Sequence, residues 1–137
     1  MNGSESEKRS GDYAASFRDL RVYQSALELS HSIFVVTRNF PREERYSLTD
    51  QIRRSSRSIA ANLTEAWAKR RYTAAFIAKL SDCLGEVFET QSWLDQSKQS
   101  GYLDTDTHQT LDSHCAHIGA MLRSMENKAD SFCGPRS

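Results

Sequence analysis

The chain has 137 residues, 38% of them hydrophobic and 26% charged, with 18 basic residues against 18 acidic ones. That length allows one domain with a sizeable core, and the composition is too apolar for a disordered chain. The zero net charge excludes a global electrostatic pull toward nucleic acid or membrane. Two prolines, Pro41 and Pro135, and six glycines leave long stretches without breakers, which favours helices over short strands. The first eight residues, Met1 to Lys8, hold no apolar run for a signal peptide. The longest interior run, Ile33-Phe34-Val35-Val36, is too short to span a bilayer. Cys83, Cys115 and Cys133 are widely spaced and odd in number, the pattern of reduced thiols, so a cytoplasmic protein is expected.

Residues 1–15 are rich in Ser, Gly and charge and read as a flexible tail. Helical periodicity then begins. Leu20, Tyr23, Leu27, Ser30, Phe34 and Thr37 fall on one face, with Ala26 and Ile33 beside them and Asp19 as the cap. Asn39-Phe40-Pro41 ends this first helix, because the residue before proline is pushed out of the helical region. After a connection over 41–46, Ser47 or Thr49 starts a second helix. Its stripe is Leu48, Ile52, Ser55, Ile59, Leu63 and Ala66, with Trp67 at the edge. A third helix from Thr73 carries Phe76, Ile77, Leu80, Cys83, Leu84, Val87, Phe88, Gln91 and Leu94. Gly101 is its left-handed terminator. Asp104 or Thr105 opens a fourth helix with Leu111, Cys115, Ile118, Leu122, Met125 and Ala129, and Gly134-Pro135 closes it.

Four helices of roughly 20 to 28 residues with short connections predict an all-α, up-down-up-down antiparallel four-helix bundle over residues 16–133.

Charge is unevenly placed along this frame. Residues 38–71 hold nine basic and four acidic side chains, a net of +5, whereas residues 72–112 hold two and seven, a net of −5. Taking Arg53 as the origin, Arg57 lies near about 40° and Arg54 near about 100°, while the core stripe centres near about 250°. The three arginines are therefore expected to face away from the core, with Lys69, Arg70 and Arg71 at the helix end. Guanidinium forks bind phosphate bidentately, which makes these six residues the candidate nucleic-acid surface. The competing reading is a solvated face, or pairing with acidic helices of the same or a neighbouring subunit. Trp93 projects about 150° from its stripe, and Val36 does much the same on the first helix. Large apolar groups outside a stripe point to a contact surface, so Trp93 and Val36 are the candidate oligomer interface.

No pattern of catalytic residues emerges. A di-iron bundle needs paired Glu-x-x-His segments facing inward. Glu28-Leu29-Ser30-His31 is a single copy, with Glu28 about 140° from the expected core centre. His114 and His117 form an i,i+3 pair without a second pair to complete a zinc site, and no glycine-rich phosphate loop or nucleophile elbow occurs. Neither an enzyme, a metal nor a cofactor is expected. Asn62, on the flank of the second stripe, is expected to hydrogen-bond across helices and set register.

Three separated motifs carry a resemblance. They are Phe17-Arg18-Asp19-Leu20-Arg21-Val22-Tyr23-Gln24, then the segment from Phe40-Pro41-Arg42 through Gln51-Ile52-Arg53-Arg54-Ser55, then Ser58-Ile59-Ala60-Ala61-Asn62-Leu63-Thr64-Glu65. Their order and spacing over about residues 17–125 resemble the bacterial four-helix-bundle proteins of intervening sequences in 23S rRNA genes. The accessory variability determinant of diversity-generating retroelements is similar. This chain has Ser47, Ala60 and Ala66 where the family pattern has Gly, Pro and Gly. The resemblance implies a homo-oligomer, commonly a pentameric ring. For the retroelement members, which are strongly basic, it also implies RNA binding beside a reverse transcriptase. The expected function is thus a non-enzymatic accessory RNA-binding protein, partnered by itself and by RNA or a nucleic-acid-processing protein. The alternative is a protein-interaction scaffold whose charged faces serve subunit assembly. A metal-dependent bundle enzyme ranks third.

Overall fold

The computed structural model describes residues 14–133; most of the expected tail and the Gly134-Pro135 terminator lie outside the described residues. Four long helices are present: α1 (Arg21–Thr37), α2 (Leu48–Ala68), α3 (Thr73–Gln99) and α4 (Thr105–Asn127), followed by a short α5 (Ala129–Cys133). Each long helix packs on the one before it, and α4 closes back on α1. The α1–α2 and α3–α4 connections lie at the same end of the bundle. There the Tyr102 hydroxyl donates to Glu44 Oε2 at 2.8 Å and the Phe40 and Tyr102 rings lie 5.3 Å apart. Successive helices therefore run antiparallel, as the short connections predicted.

The core is built from side chains spaced three and four apart, which stack on one face of a 3.6-residue helix. On α2 these are Leu48, Thr49, Ile52, Ser55, Ser56, Ile59, Ala60, Leu63 and Ala66. The α4 stripe is Leu111, Cys115, Ile118, Gly119, Leu122 and Met125. On α3 it is Phe76, Leu80, Cys83, Val87, Thr90, Leu94 and Ser97, while Phe88, expected inside, is 50% exposed.

The first stripe is rotated from its expected position. Buried residues on α1 are Val22, Ala26, Leu29, Ile33 and Thr37, whereas Leu27 is 45% exposed and Ser30, Tyr23 and Phe34 are half-buried. Two apolar stripes about 100° apart compete on this helix. The one with Leu29 and Ile33 wins because Val22 and Ala26 complete it with groups that fit between α2 and α4.

Helix ends follow local chemistry. Asp104 caps α4 by accepting from the Thr107 N–H at 2.7 Å, and this bond holds its carboxyl below the usual range. Gly101 stands at φ +82°, where a Cβ is strained, and lets the chain turn sharply after α3. Asp19 acts differently from expectation. It accepts from the N–H groups of Ala15 and Ser16 and closes a 3-10 turn at Phe17–Asp19, while α1 starts after the extended Leu20. The last helix is interrupted at Lys128, which brings the Phe132 ring to 6.0 Å from Phe76. At Ser47, where the family pattern has glycine, φ is −125°, so a side chain is tolerated, and its hydroxyl bonds Glu44 at 2.6 Å. Ala60 and Ala66 are buried methyls.

Two polar contacts lock α2 to α3. The buried Thr90 hydroxyl shares its one proton between Ser55 Oγ at 2.9 Å and the Glu86 carbonyl at 2.8 Å. Lys79 donates to Asn62 Oδ1 at 2.8 Å and lies 3.3 and 3.4 Å from Glu65 and Asp82. Burial alone would lower the Lys79 pKa, but the bonds to Glu65 and Asp82 outweigh it and hold the ammonium above its usual value. Asn62 thus bonds across helices as its flank position predicted, with its own amide on the Ser58 carbonyl at 2.9 Å.

Three outcomes follow from this packing. In urea unfolding, Leu29→Ala is expected to cost ~2–5 kcal/mol and Leu27→Ala less than ~0.5 kcal/mol. Equal losses would restore the rotated-away stripe. Gly101→Ala is expected to cost ~1–2 kcal/mol through left-handed strain alone. Asp104→Ala is expected to lower stability at neutral pH. Because the folded-state pKa of Asp104 is depressed, its contribution exists above the unfolded pKa and fades as pH falls through the folded one. Parallel unfolding curves of wild type and variant between neutral and acid pH should therefore converge.

Candidate nucleic-acid interface

The basic residues of α2 do not form one outward face. Arg53 lies across the end of α1, with Nε donating to Thr37 Oγ1 at 2.8 Å and Nη2 to the Phe34 carbonyl at 3.4 Å. This is favourable because the last carbonyls of a helix lack partners and carry partial negative charge. Arg53 is half-buried, not solvent-facing as its helical angle suggested. Rotation of the α1 stripe explains the difference: Phe34 and Thr37 are turned toward α2, and the long arginine stem spans the gap.

Around the Phe34 ring, three guanidinium carbons gather: Arg53 at 4.7 Å, Arg38 at 5.1 Å and Arg57 at 5.7 Å from its centroid. Arg38, which caps the C-terminus of α1, stands one turn after Phe34, and Arg57 one turn after Arg53 on α2, so the crossing brings both i,i+4 pairs together. The aromatic face offsets part of their mutual repulsion by cation–π attraction. Repulsion still registers. Burial, then Arg57, then Arg38 pull the Arg53 pKa below its ordinary value, although a guanidinium stays charged. No carboxylate among the described residues is paired with any of the three. Arg38 and Arg57 are exposed, so their forks are presented to solvent.

Arg54 leaves this cluster. It points toward α3, where it opposes the upward pull of burial and of Glu89 on the Glu86 carboxyl. Lys69, Arg70 and Arg71 form a second group at the other end of α2. The guanidinium of Arg70 stacks 3.5 Å above the Trp67 ring and donates to the Trp67 carbonyl at 2.9 Å. Arg71 lies 5.9 Å from the ring of Tyr72, which is 64% exposed. Thirteen residues separate Arg57 from Arg70, about 20 Å along the helix. Before α2, Arg45 lies 5.9 Å from the ring of Tyr46, which is 86% exposed. Sequence reasoning missed Phe34 and Arg38 as members of the first cluster, because Phe34 had been assigned to the core stripe. The available signal was the Phe-x-x-x-Arg spacing facing an Arg-x-x-x-Arg spacing.

Trp93 and Val36 are placed differently from expectation. Both are half-buried and pack on the core of their own chain, and the Trp93 indole donates to Glu89 at 3.1 Å. Among the described residues, the large apolar groups that do reach solvent are Leu27, Val35, Tyr46, Tyr72 and Phe88.

Nucleophile and metal candidates of the sequence do not converge. Glu28, His31 and His117 are exposed. Ser25 Oγ and His114 Nε2 are 2.9 Å apart, but Ser25 lies inside α1, where backbone N–H groups are consumed by the helix and supply no oxyanion site. Burial pushes the Cys83 and Cys115 thiols up to about 12, which keeps them protonated and poor nucleophiles. No described helix is long and apolar enough to cross a membrane.

The sequence pattern of the 23S rRNA-intervening sequence proteins matches residues 18–124. No curated protein matches the chain. Among solved structures, a protein of unknown function from the S23 ribosomal protein family of Bacteroides thetaiotaomicron is similar, with a TM-score of 0.70 and 28% identity. The match covers 77% of this chain and 97% of that one. The long matched span and the shared fold make one assignment: the chain belongs to the 23S rRNA-intervening sequence protein family.

Proposed function

We propose that this chain is a non-enzymatic, homo-oligomeric accessory protein that binds RNA through the arginine cluster around Phe34. The observation that carries the reading is the Arg38–Arg53–Arg57 cluster, three guanidiniums converging on one ring with no carboxylate among the described residues paired to them. A cluster held together without counter-charge is electrostatically incomplete, and a phosphate completes it. Arg53 is the positioning member, tied to Thr37, while Arg38 and Arg57 present the forks. The exposed tyrosines beside Arg45 and Arg71 add stacking surfaces suited to unpaired bases. Lys69, Arg70 and Arg71 extend the positive path at the far end of α2. A pentameric ring, as the family resemblance implies, would repeat both clusters around an axis.

A second reading, a protein-interaction scaffold without a nucleic-acid ligand, is favoured by Phe88, which is 50% exposed with Arg123 5.8 Å from its ring. The two readings separate experimentally. Fluorescence anisotropy with labelled single-stranded RNA should give affinity that falls steeply with salt. Arg38→Ala and Arg57→Ala should each lower the slope of log K against log salt by about 0.7 to 1. Salt-insensitive binding, or full binding by a folded double variant, would refute the RNA reading. Under the scaffold reading, light scattering should show Phe88→Ser reducing the assembly mass while RNA has no effect on it.

A further inference from the structure

Near the connected ends of α3 and α4, four polar side chains form two rungs between the antiparallel helices. His108 Nε2 lies 2.8 Å from Asp95 Oδ1, and the Gln91 amide donates to Asp112 Oδ1 at 3.1 Å. Gln91 and Asp95 are one turn apart on α3, and His108 and Asp112 are one turn apart on α4. The crossing therefore stacks the rungs, and the ligand atoms of Asp95, His108 and Asp112 all lie within 4.8 Å of one another. None of these residues belongs to the arginine clusters.

We propose that Asp95, His108 and Asp112 form a site for a single divalent transition-metal ion, with zinc as its natural occupant, that clips α3 to α4. One imidazole nitrogen and two carboxylates are a mixed donor set suited to Zn2+ and to its probe Co2+. The charges balance: two carboxylates neutralise one divalent cation when His108 is neutral. Binding replaces the His108 Nε2···Asp95 Oδ1 contact with one bond from each atom to the metal; the ring's one remaining proton sits on Nδ1, and a doubly protonated ring releases its Nε2 proton to solvent. Three further observations point to a cation. The neutral Gln91 amide holds Asp112 in place without neutralising it, which leaves that carboxylate's charge uncompensated. The segment from residue 72 to 112 carries a net charge of −5, which raises the local concentration of cations. His108 keeps only 16% of its side chain exposed while Asp95 keeps 68%, so the nitrogen is fixed and the open side faces water. Water completes the coordination on that side.

Sequence reasoning passed over this set because its members are 13 and 4 residues apart on two helices, without a Cys-x-x-Cys or His-x-x-x-His spelling. The i,i+3 pairs His114/His117 and Glu28/His31 gather no third ligand among the described residues.

Isothermal titration of the full chain, freed of metal with a chelator, tests the site with ZnCl2 and no nucleic acid present. A single Zn2+ per chain is expected. His108→Ala and Asp112→Asn are each expected to weaken it by about tenfold or more. His31→Ala and His117→Ala are expected to leave it unchanged. With CoCl2, visible ligand-field absorption is expected in the wild type and lost in His108→Ala. Absence of saturable binding, or Zn2+ affinity that survives His108→Ala, overturns the site. Asp95→Asn alters an exposed side chain and provides a folded variant should the half-buried positions prove destabilising. Unchanged affinity in that variant also counts against the site. Because no RNA enters the titration, its failure leaves the arginine-cluster reading untouched.

Discussion

Close packing of α2 between α1 and α3 is the constraint on which the other features rest. Its buried stripe mixes branched side chains, Ile52, Ile59 and Leu63, with Ser55, Ser56, Ala60 and Ala66. Small residues let the neighbouring backbones approach, and the branched ones fill what remains at interior density. Serine is tolerated there because its hydroxyl returns to a carbonyl of its own helix: Ser55 to Ile52 at 3.3 Å and Ser56 to Arg53 at 3.1 Å. Thr90 then reaches across to Ser55, so the α2–α3 seam carries a specific register and not only an apolar surface.

With α2 pinned in rotation, the destinations of its arginines follow. Ile52 and Ile59 point inward, so Arg53 and Arg57 emerge along the α1 seam and Arg54 along the α3 seam. One helix thus delivers cations to two chemically different places. Beside α1 they meet carbonyl ends and an aromatic ring; beside α3 they meet carboxylates. The Lys79 hub runs against the asymmetry between a basic α2 and an acidic α3, joining a lysine of α3 to Glu65 and Asn62 of α2. There one ammonium serves Asn62, Glu65 and Asp82.

The two candidate sites share a construction. Each uses i,i+4 pairs from two crossing helices: Phe34 and Arg38 with Arg53 and Arg57, and Gln91 and Asp95 with His108 and Asp112. Such a four-cornered arrangement needs no loop and no cofactor-binding fold. A bundle can carry several of them on its seams, where side chains are half-buried and therefore held in place, yet reach water at their tips. Arg53 is the least exposed of its cluster and is the member tied to Thr37.

Much of the architecture was legible from the chain alone. Breaker positions and 3.6-residue stripes determine four helices, and the turn at Gly101 and the cap at Asp104 are local chemistry that needs no neighbour. The motif residues determine the family from the chain alone, since the family pattern matches residues 18–124. What sequence could not decide was rotation about a helix axis when two apolar stripes compete, as Leu27 and Leu29 show on α1. That choice depends on the volume left between α2 and α4, a property of three helices at once. Phe34, Arg38 and Arg53 turn with it, and so does every contact they make. Pairings between helices, such as His108 with Asp95, likewise exist only after packing sets the register, since no local rule relates residues on separate helices.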